Sequence, residues 1–82
     1  MKTITQGDFW ELLSAKEQKN FTGIVDWGNG LQLYYQNGKA HRIDGPAYIG
    51  PNGQVSYWID GERVSKEAQE LYYSLMKLKG LV

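Results

Sequence analysis

An 82-residue chain with nine basic and nine acidic residues, and no cysteine, has room for one domain and not for a large enclosed active-site cavity. Its balanced charge argues against phosphate-driven binding to nucleic acid, and the absence of cysteine excludes a disulfide framework or a thiolate metal cluster. No apolar run approaches the roughly 18–20 residues needed to cross a bilayer. The stretch from Met1 to Asp8 lacks the apolar core of a signal peptide, so a cytoplasmic protein without a membrane role is expected.

The first twenty residues read as helical. Asp8 followed by Glu11 fits a capping box that opens a short helix over Phe9–Leu13, and Ser14 with Glu17 repeats the signal for a second turn of helix over Ala15–Lys19. From Phe21 to Val64 the pattern changes to strands and turns. Short runs rich in β-branched and aromatic residues (Thr22–Trp27, Leu31–Gln36, Pro46–Ile49, Val55–Ile59) alternate with Asn-Gly, Asp-Gly and Pro-Asn-Gly punctuation. Asn-Gly and Asp-Gly tolerate the positive φ angles that tight hairpins need. The expectation is an antiparallel β-meander of about four strands.

That region also aligns with itself at an offset of 23 residues. Asn29-Gly30 falls on Asn52-Gly53, Tyr34-Tyr35 on Tyr57-Trp58, and Asn37-Gly38 on Asp60-Gly61. The two copies alternate out of phase: Leu31, Leu33 and Tyr35 share one face, whereas Val55, Tyr57 and Ile59 occupy positions matching Gln32, Tyr34 and Gln36. Either a bulge or twist intervenes, or both sheet faces are partly covered.

The last element reads as an amphipathic helix within residues 65–80. Ser65 suits the N-cap, Lys77 and Lys79 the last turn, and Gly80 the C′ position. Ala68, Leu71, Tyr72, Leu75 and Leu78 form an apolar stripe expected to face the core, leaving Tyr73 and Met76 off it as contacts for a partner or a second copy. The fold class is therefore α+β, one domain: a helical segment (1–20), two hairpin units (21–64) and a C-terminal helix (65–80).

No catalytic set accompanies these elements. His41 is the only histidine, no nucleophile-elbow glycine pattern surrounds a serine, and no metal-ligand spacing or phosphate-cradling glycine run exists. A hydrolase centred on His41 lacks its nucleophile. Neither a cofactor nor a metal is expected. In Gly38–Ala47, Arg42 has a structural reading, its fork bonding Asp44 or turn carbonyls, beside a reading as a recognition loop. Trp27, Tyr35, Tyr48 and Trp58 can be read as cross-strand packing or as a stacking platform for single-stranded nucleic acid; few basic residues interleave with them, which favours packing.

The stretch Tyr34–Ala47, followed by Asn52-Gly53, Tyr57-Trp58 and Asp60-Gly61, resembles the aromatic–x–x–Gly–x–x–His–Arg–x–Asp–Gly–Pro–Ala repeats of small proteins, many encoded by tailed bacteriophages. These are distantly similar to MORN-type repeats. The second copy departs from the pattern, with Arg63-Val64-Ser65 in place of the His-Arg-x portion. The resemblance implies a phage-encoded, non-enzymatic accessory or inhibitor protein in the host cytoplasm. It would bind a host or phage protein, for example to blunt a defence system or adjust lysis timing. His41, Arg42, Tyr35, Tyr48 and Trp58 are the expected partner-binding residues. A homo-oligomer is a further expectation, and single-stranded nucleic-acid binding through the sheet aromatics is the alternative.

Overall fold

Two tight turns carry the architecture. In the computed structural model, which describes residues 2–82, Asn37 and Gly38 have φ of 52° and 77°, and Asp60 and Gly61 have 50° and 84°. Positive φ at both central residues is the type I′ geometry, whose twist matches that of the strands it joins. Each turn closes a hairpin: β3 (Gln32–Gln36) with β4 (Lys39–Ala40), and β6 (Val55–Ile59) with β7 (Glu62–Val64). Each long strand also pairs with the strand before it in its unit, β2 (Gly23–Asp26) or β5 (Tyr48–Ile49).

The 23-residue offset extends to the pairing itself. Val25↔Leu33 and Asp26↔Gln32 in the first unit become Tyr48↔Ser56 and Ile49↔Val55 in the second. Tyr35↔Ala40 and Gln36↔Lys39 become Trp58↔Arg63 and Ile59↔Glu62. The bond from Trp27 N–H to the Leu31 carbonyl recurs as Gly50 N–H to Gln54. Each unit thus has three strands where the turn signals suggested two. Sequence reading missed β4 and β7 because two or three residues after a turn show no alternation of their own.

The sheet has seven strands in the order β1-β2-β3-β5-β6-β7, with β4 beside β3. Its first strand, β1 (Thr3–Thr5), pairs parallel with β2 through Thr3↔Ile24, Ile4↔Val25 and Thr5↔Asp26. This strand was also unforeseen, since its partner lies some twenty residues away. It displaces the expected first cap: Thr5, not Asp8, caps helix α1 (Gln6–Leu12), its hydroxyl accepting from Asp8 N–H at 3.2 Å. Helix α2 (Ala15–Lys19) carries the capping box of Ser14 and Glu17 as expected. Its reciprocal bonds hold the Glu17 carboxyl below the usual glutamate value.

The phase difference between the units is resolved by covering both faces, with no bulge. Neighbouring residues of a strand point to opposite sides. On one side Phe9 of α1 stacks on Tyr35 at 6.2 Å and meets Phe21 edge-on at 5.5 Å. On the other, helix α3 (Lys66–Leu78) packs near Tyr57, with Ser65 capping it through Ala68 N–H and a Schellman end in which Leu81 N–H reaches Met76 and Gly80 N–H reaches Lys77.

The rotation of α3 reverses the expected one. Gln69 is the buried residue, Tyr72, Tyr73 and Met76 are half-buried beside it, and Leu71, Leu75 and Leu78 are exposed at 62%, 47% and 85%. Two apolar stripes lie on this helix, and a polar bond made by Gln69 selects the aromatic one. Among the described residues the buried apolar set is small: Phe21, Val25 and Ala47.

Gly38 and Gly61 occupy equivalent turn positions with unequal surroundings. A Cβ on Gly38 would strike the Lys19 carbonyl at the end of α2, whereas one on Gly61 would meet only the Lys39 side chain, at 3.6 Å. Gly61→Ala is expected to cost about 1–2 kcal/mol for its positive φ. Gly38→Ala should cost a further 1–3 kcal/mol or so for overpacking against rigid backbone. Urea denaturation of the two variants checks this, and equal losses would refute the packing of α2 on the first turn.

Candidate functional site

The segment Ala40–Ala47 follows the first hairpin and is built from backbone bonds before any side chain acts. The Ala40 carbonyl accepts from Gly61 N–H at 2.8 Å, His41 N–H donates to the Tyr34 carbonyl at 3.0 Å, and Arg42 N–H donates to the Trp58 carbonyl at 3.1 Å. Ala47, fully buried, bridges the units by accepting from Tyr34 N–H at 2.7 Å and donating to the Ser56 carbonyl at 3.1 Å. The loop therefore welds the end of unit one to the long strand of unit two.

Its side chains are equally occupied. His41 Nδ1 accepts the Asp60 N–H at 2.9 Å, satisfying an amide of the second type I′ turn. The same Nδ1 lies 3.3 Å from the Asp60 carboxylate. The ring edge rests on Tyr72 of α3, with centroids 6.4 Å apart. Arg42 lays its guanidinium over the Tyr34 ring at 4.1 Å, with Nε on Asp44 at 3.0 Å and Nη1 on the Pro46 carbonyl at 3.2 Å. Both bonds anticipated for its fork are made.

Gly45 lies against the same guanidinium, so closely that a Cβ there would come within 2.9 Å of Cζ. Helix α3 completes the lock. Gln69 is 4% exposed, and its amide nitrogen donates to the Arg42 carbonyl at 3.2 Å and to the Gly45 carbonyl. Sequence reading passed over Gln69; its one signal was a polar residue set among Tyr72, Tyr73 and Met76.

Three of the five residues read from the sequence, Tyr35, His41 and Arg42, line one cleft of about 320 Å³ together with Tyr34, Ile43 and Asp44 among others, whereas Tyr48 and Trp58 line a separate groove. Tyr35, Tyr48 and Trp58 share the sheet face that carries α1, whereas His41 and Arg42 are held in the loop on the α3 side. Tyr35 lies under Phe9, and its burial raises the phenol above its usual 10.0. Tyr48 and Trp58 lie further along, where Trp58 Nε1 donates to Ser56 Oγ at 2.8 Å. Register places Arg63 directly beside Trp58, a residue the sequence reading had not singled out. Together with Gln54, Val55 and Ser56 these residues line a shallow groove of about 370 Å³. On the opposite face a cleft of about 470 Å³ runs between the loop and α3, lined by Asp44, Pro46, Tyr57, Lys66, Glu70 and Tyr73 among others.

Among the described residues no group of three or more histidine, cysteine or acidic side chains could hold a metal ion, and no helix is long and apolar enough to cross a membrane. No protein-family model matches the chain, and no curated protein or solved structure matches it.

Two tests follow from this geometry. Gln69→Met keeps the volume but strands two part-buried carbonyls, at about 1–3 kcal/mol each. The melting temperature should drop by roughly 10 °C or more; a drop within about 2 °C would show that the amide does not hold the loop. For Tyr35, the raised folded value means that its contribution to stability is complete below 10.0 and is lost as pH rises through the folded value. Tyr35→Phe should therefore flatten the alkaline fall in stability, measured by denaturation across that range, and an unchanged alkaline slope would refute the burial.

Proposed function

We propose that the chain is a non-enzymatic protein-binding module, and that its recognition surface is the groove of Tyr48, Trp58 and Arg63. One observation carries this reading. Helix α1 reaches the first unit of its sheet face through Phe21 and Tyr35, while α3 packs on the opposite face, so the aromatic face of the second unit is left as an open groove. Tyrosine, tryptophan and arginine are the side chains most favoured at binding hot spots, because each joins a large contact area to a directed polar group.

The partner feature this groove suits is an apolar or aromatic side chain flanked by a carboxylate for Arg63. Support for a non-catalytic role comes from the loop: its imidazole and guanidinium, the reactive-looking groups of the sequence, are spent on Asp60, Tyr72, Asp44 and Pro46. His41 and Arg42 accordingly act by shaping the protein, and variants there test stability before binding. The identity class of the partner, a host or phage protein bound in the host cytoplasm, as an inhibitor of defence or a modulator of lysis timing, rests on the repeat resemblance of His41–Ala47 alone. Tyr35 is stacked against Phe9, which weighs against its use as a stacking platform for single-stranded nucleic acid.

Arg63 is exposed, so Arg63→Glu should fold normally and lose binding. Affinity capture from infected and uninfected bacterial lysates is expected to yield a stoichiometric protein with the native chain. Arg63→Glu and Tyr48→Ala should each recover at least about tenfold less of it, the effect of a hot-spot residue. Equal recovery by both variants would exclude the groove. Tight, steeply salt-dependent binding to oligonucleotides would replace the protein-binding reading with the nucleic-acid one.

A further inference from the structure

The outward stripe of α3 has a repeat of its own. Ala68, Leu71, Leu75 and Leu78 follow one another at spacings of three, four and three residues, the a/d pattern of a helix-on-helix seam. All four are exposed, Leu78 at 85% and Leu71 at 62%, and Leu81 and Val82, just past the helix end, are exposed as well. This stripe lies on the side away from Gln69, which is buried under the loop. Scattered exposed leucines are ordinary, but a contiguous row at seam spacing is not.

From these observations we infer that α3 pairs antiparallel with α3 of a second copy, forming a two-fold dimer across the leucine stripe. Three features favour a second copy as the occupant. The first is charge: Glu67 and Glu70 outweigh Lys66 in the first half of the helix, and Lys77 and Lys79 lie at its end. An antiparallel pair sets the acidic half of each helix beside the basic end of the other and opposes their dipoles, whereas a parallel pair sets like beside like. The second is net charge, which is zero, so two copies approach without long-range repulsion.

The third is area. The accessible surface is 5594 Å², against about 5,000 Å² expected for a folded monomer of this mass. The radius of gyration, 13.3 Å, likewise exceeds the roughly 11.7 Å expected for a compact chain of this length. The chain is thus more open than a compact monomer of its size, and a stable interface asks about 600 Å² of each partner. A thin sheet with three buried apolar residues among those described gains from such a contact what its interior lacks.

In a symmetric antiparallel seam Leu71 faces Leu75 of the second copy and Ala68 faces its Leu78. The two Ala68 residues are then separated by about 15 Å along the axis. This dimer stands independently of the Tyr48 groove, which lies on the other sheet face.

Sedimentation equilibrium of the full chain is expected to show a dimer, with Leu75→Glu raising the dissociation constant by roughly a hundredfold or more, since it places a carboxylate in an apolar seam. Orientation is read by cross-linking, which the absence of native cysteine makes clean. Ala68→Cys mixed with Leu78→Cys should form a mixed disulfide, and neither variant alone should cross-link. A native chain that stays monomeric at hundreds of micromolar overturns the proposal, as does a dimer unaffected by Leu75→Glu. Self-cross-linking of Ala68→Cys would overturn the antiparallel arrangement. If Leu75→Glu fails to fold, the cysteine mixture decides alone. A heterologous protein that protects the stripe while the chain remains monomeric also refutes the second copy.

Discussion

Two hydrogens on one side-chain amide hold this protein's halves together. Gln69 donates one to the Arg42 carbonyl and one to the Gly45 carbonyl, and in doing so joins the C-terminal helix to the loop that welds the two hairpin units. Burying an amide without partners costs several kcal/mol, so a buried glutamine is tolerated only where its bonds are made. That requirement sets the helix rotation. With Gln69 turned inward, Tyr72 reaches His41 and Tyr73 reaches the cleft beside Tyr57, and the leucines are turned out to solvent.

The interior shows why a polar lock takes on such weight. A domain of this size buries only about 60% of its surface, and here, among the described residues, the buried apolar ones are Phe21, Val25 and Ala47. Order comes instead from close-set small groups of side chains. On one face Phe9, Phe21 and Tyr35 form an aromatic knot, tied to α2 by Gln18 Nε2, which donates to the Phe9 and Leu13 carbonyls at 3.2 and 3.1 Å. On the other, Arg42 lies between Tyr34 and Gly45. Both locks use a glutamine amide to bridge two backbone carbonyls.

A pairing pattern used twice lets so short a chain build a seven-stranded sheet. The pairing register repeats residue for residue at the 23-residue offset, yet the two copies end differently. His41 and Val64 occupy equivalent places beside Tyr34 and Tyr57. One position later, Arg42 opens the loop while Ser65 caps a helix. A single position thus decides between continuing the array and closing it. The same divergence covers the α3 face near both Tyr34 and Tyr57 and leaves the Tyr48–Trp58 groove open, because α1 comes from the N-terminus and lies over the first unit.

Turns, caps and repeat period were legible in the amino-acid sequence because their chemistry is local: Asn-Gly and Asp-Gly tolerate positive φ, Ser14 and Ser65 supply an oxygen to the amide three residues on, and Gly80 permits the left-handed end of α3. The α+β class and mostly antiparallel sheet follow from those signals with the strand runs between them. Strand β1, Thr5 as the first cap, the short return strands and Arg63 beside Trp58 were not legible, since each depends on a partner distant in the chain. Helix α3 shows the limit most clearly. Its sequence offers two apolar faces, and leucine periodicity favours the one that ends in solvent, because the choice between them was made by two loop carbonyls that only the assembled sheet brings within reach of Gln69.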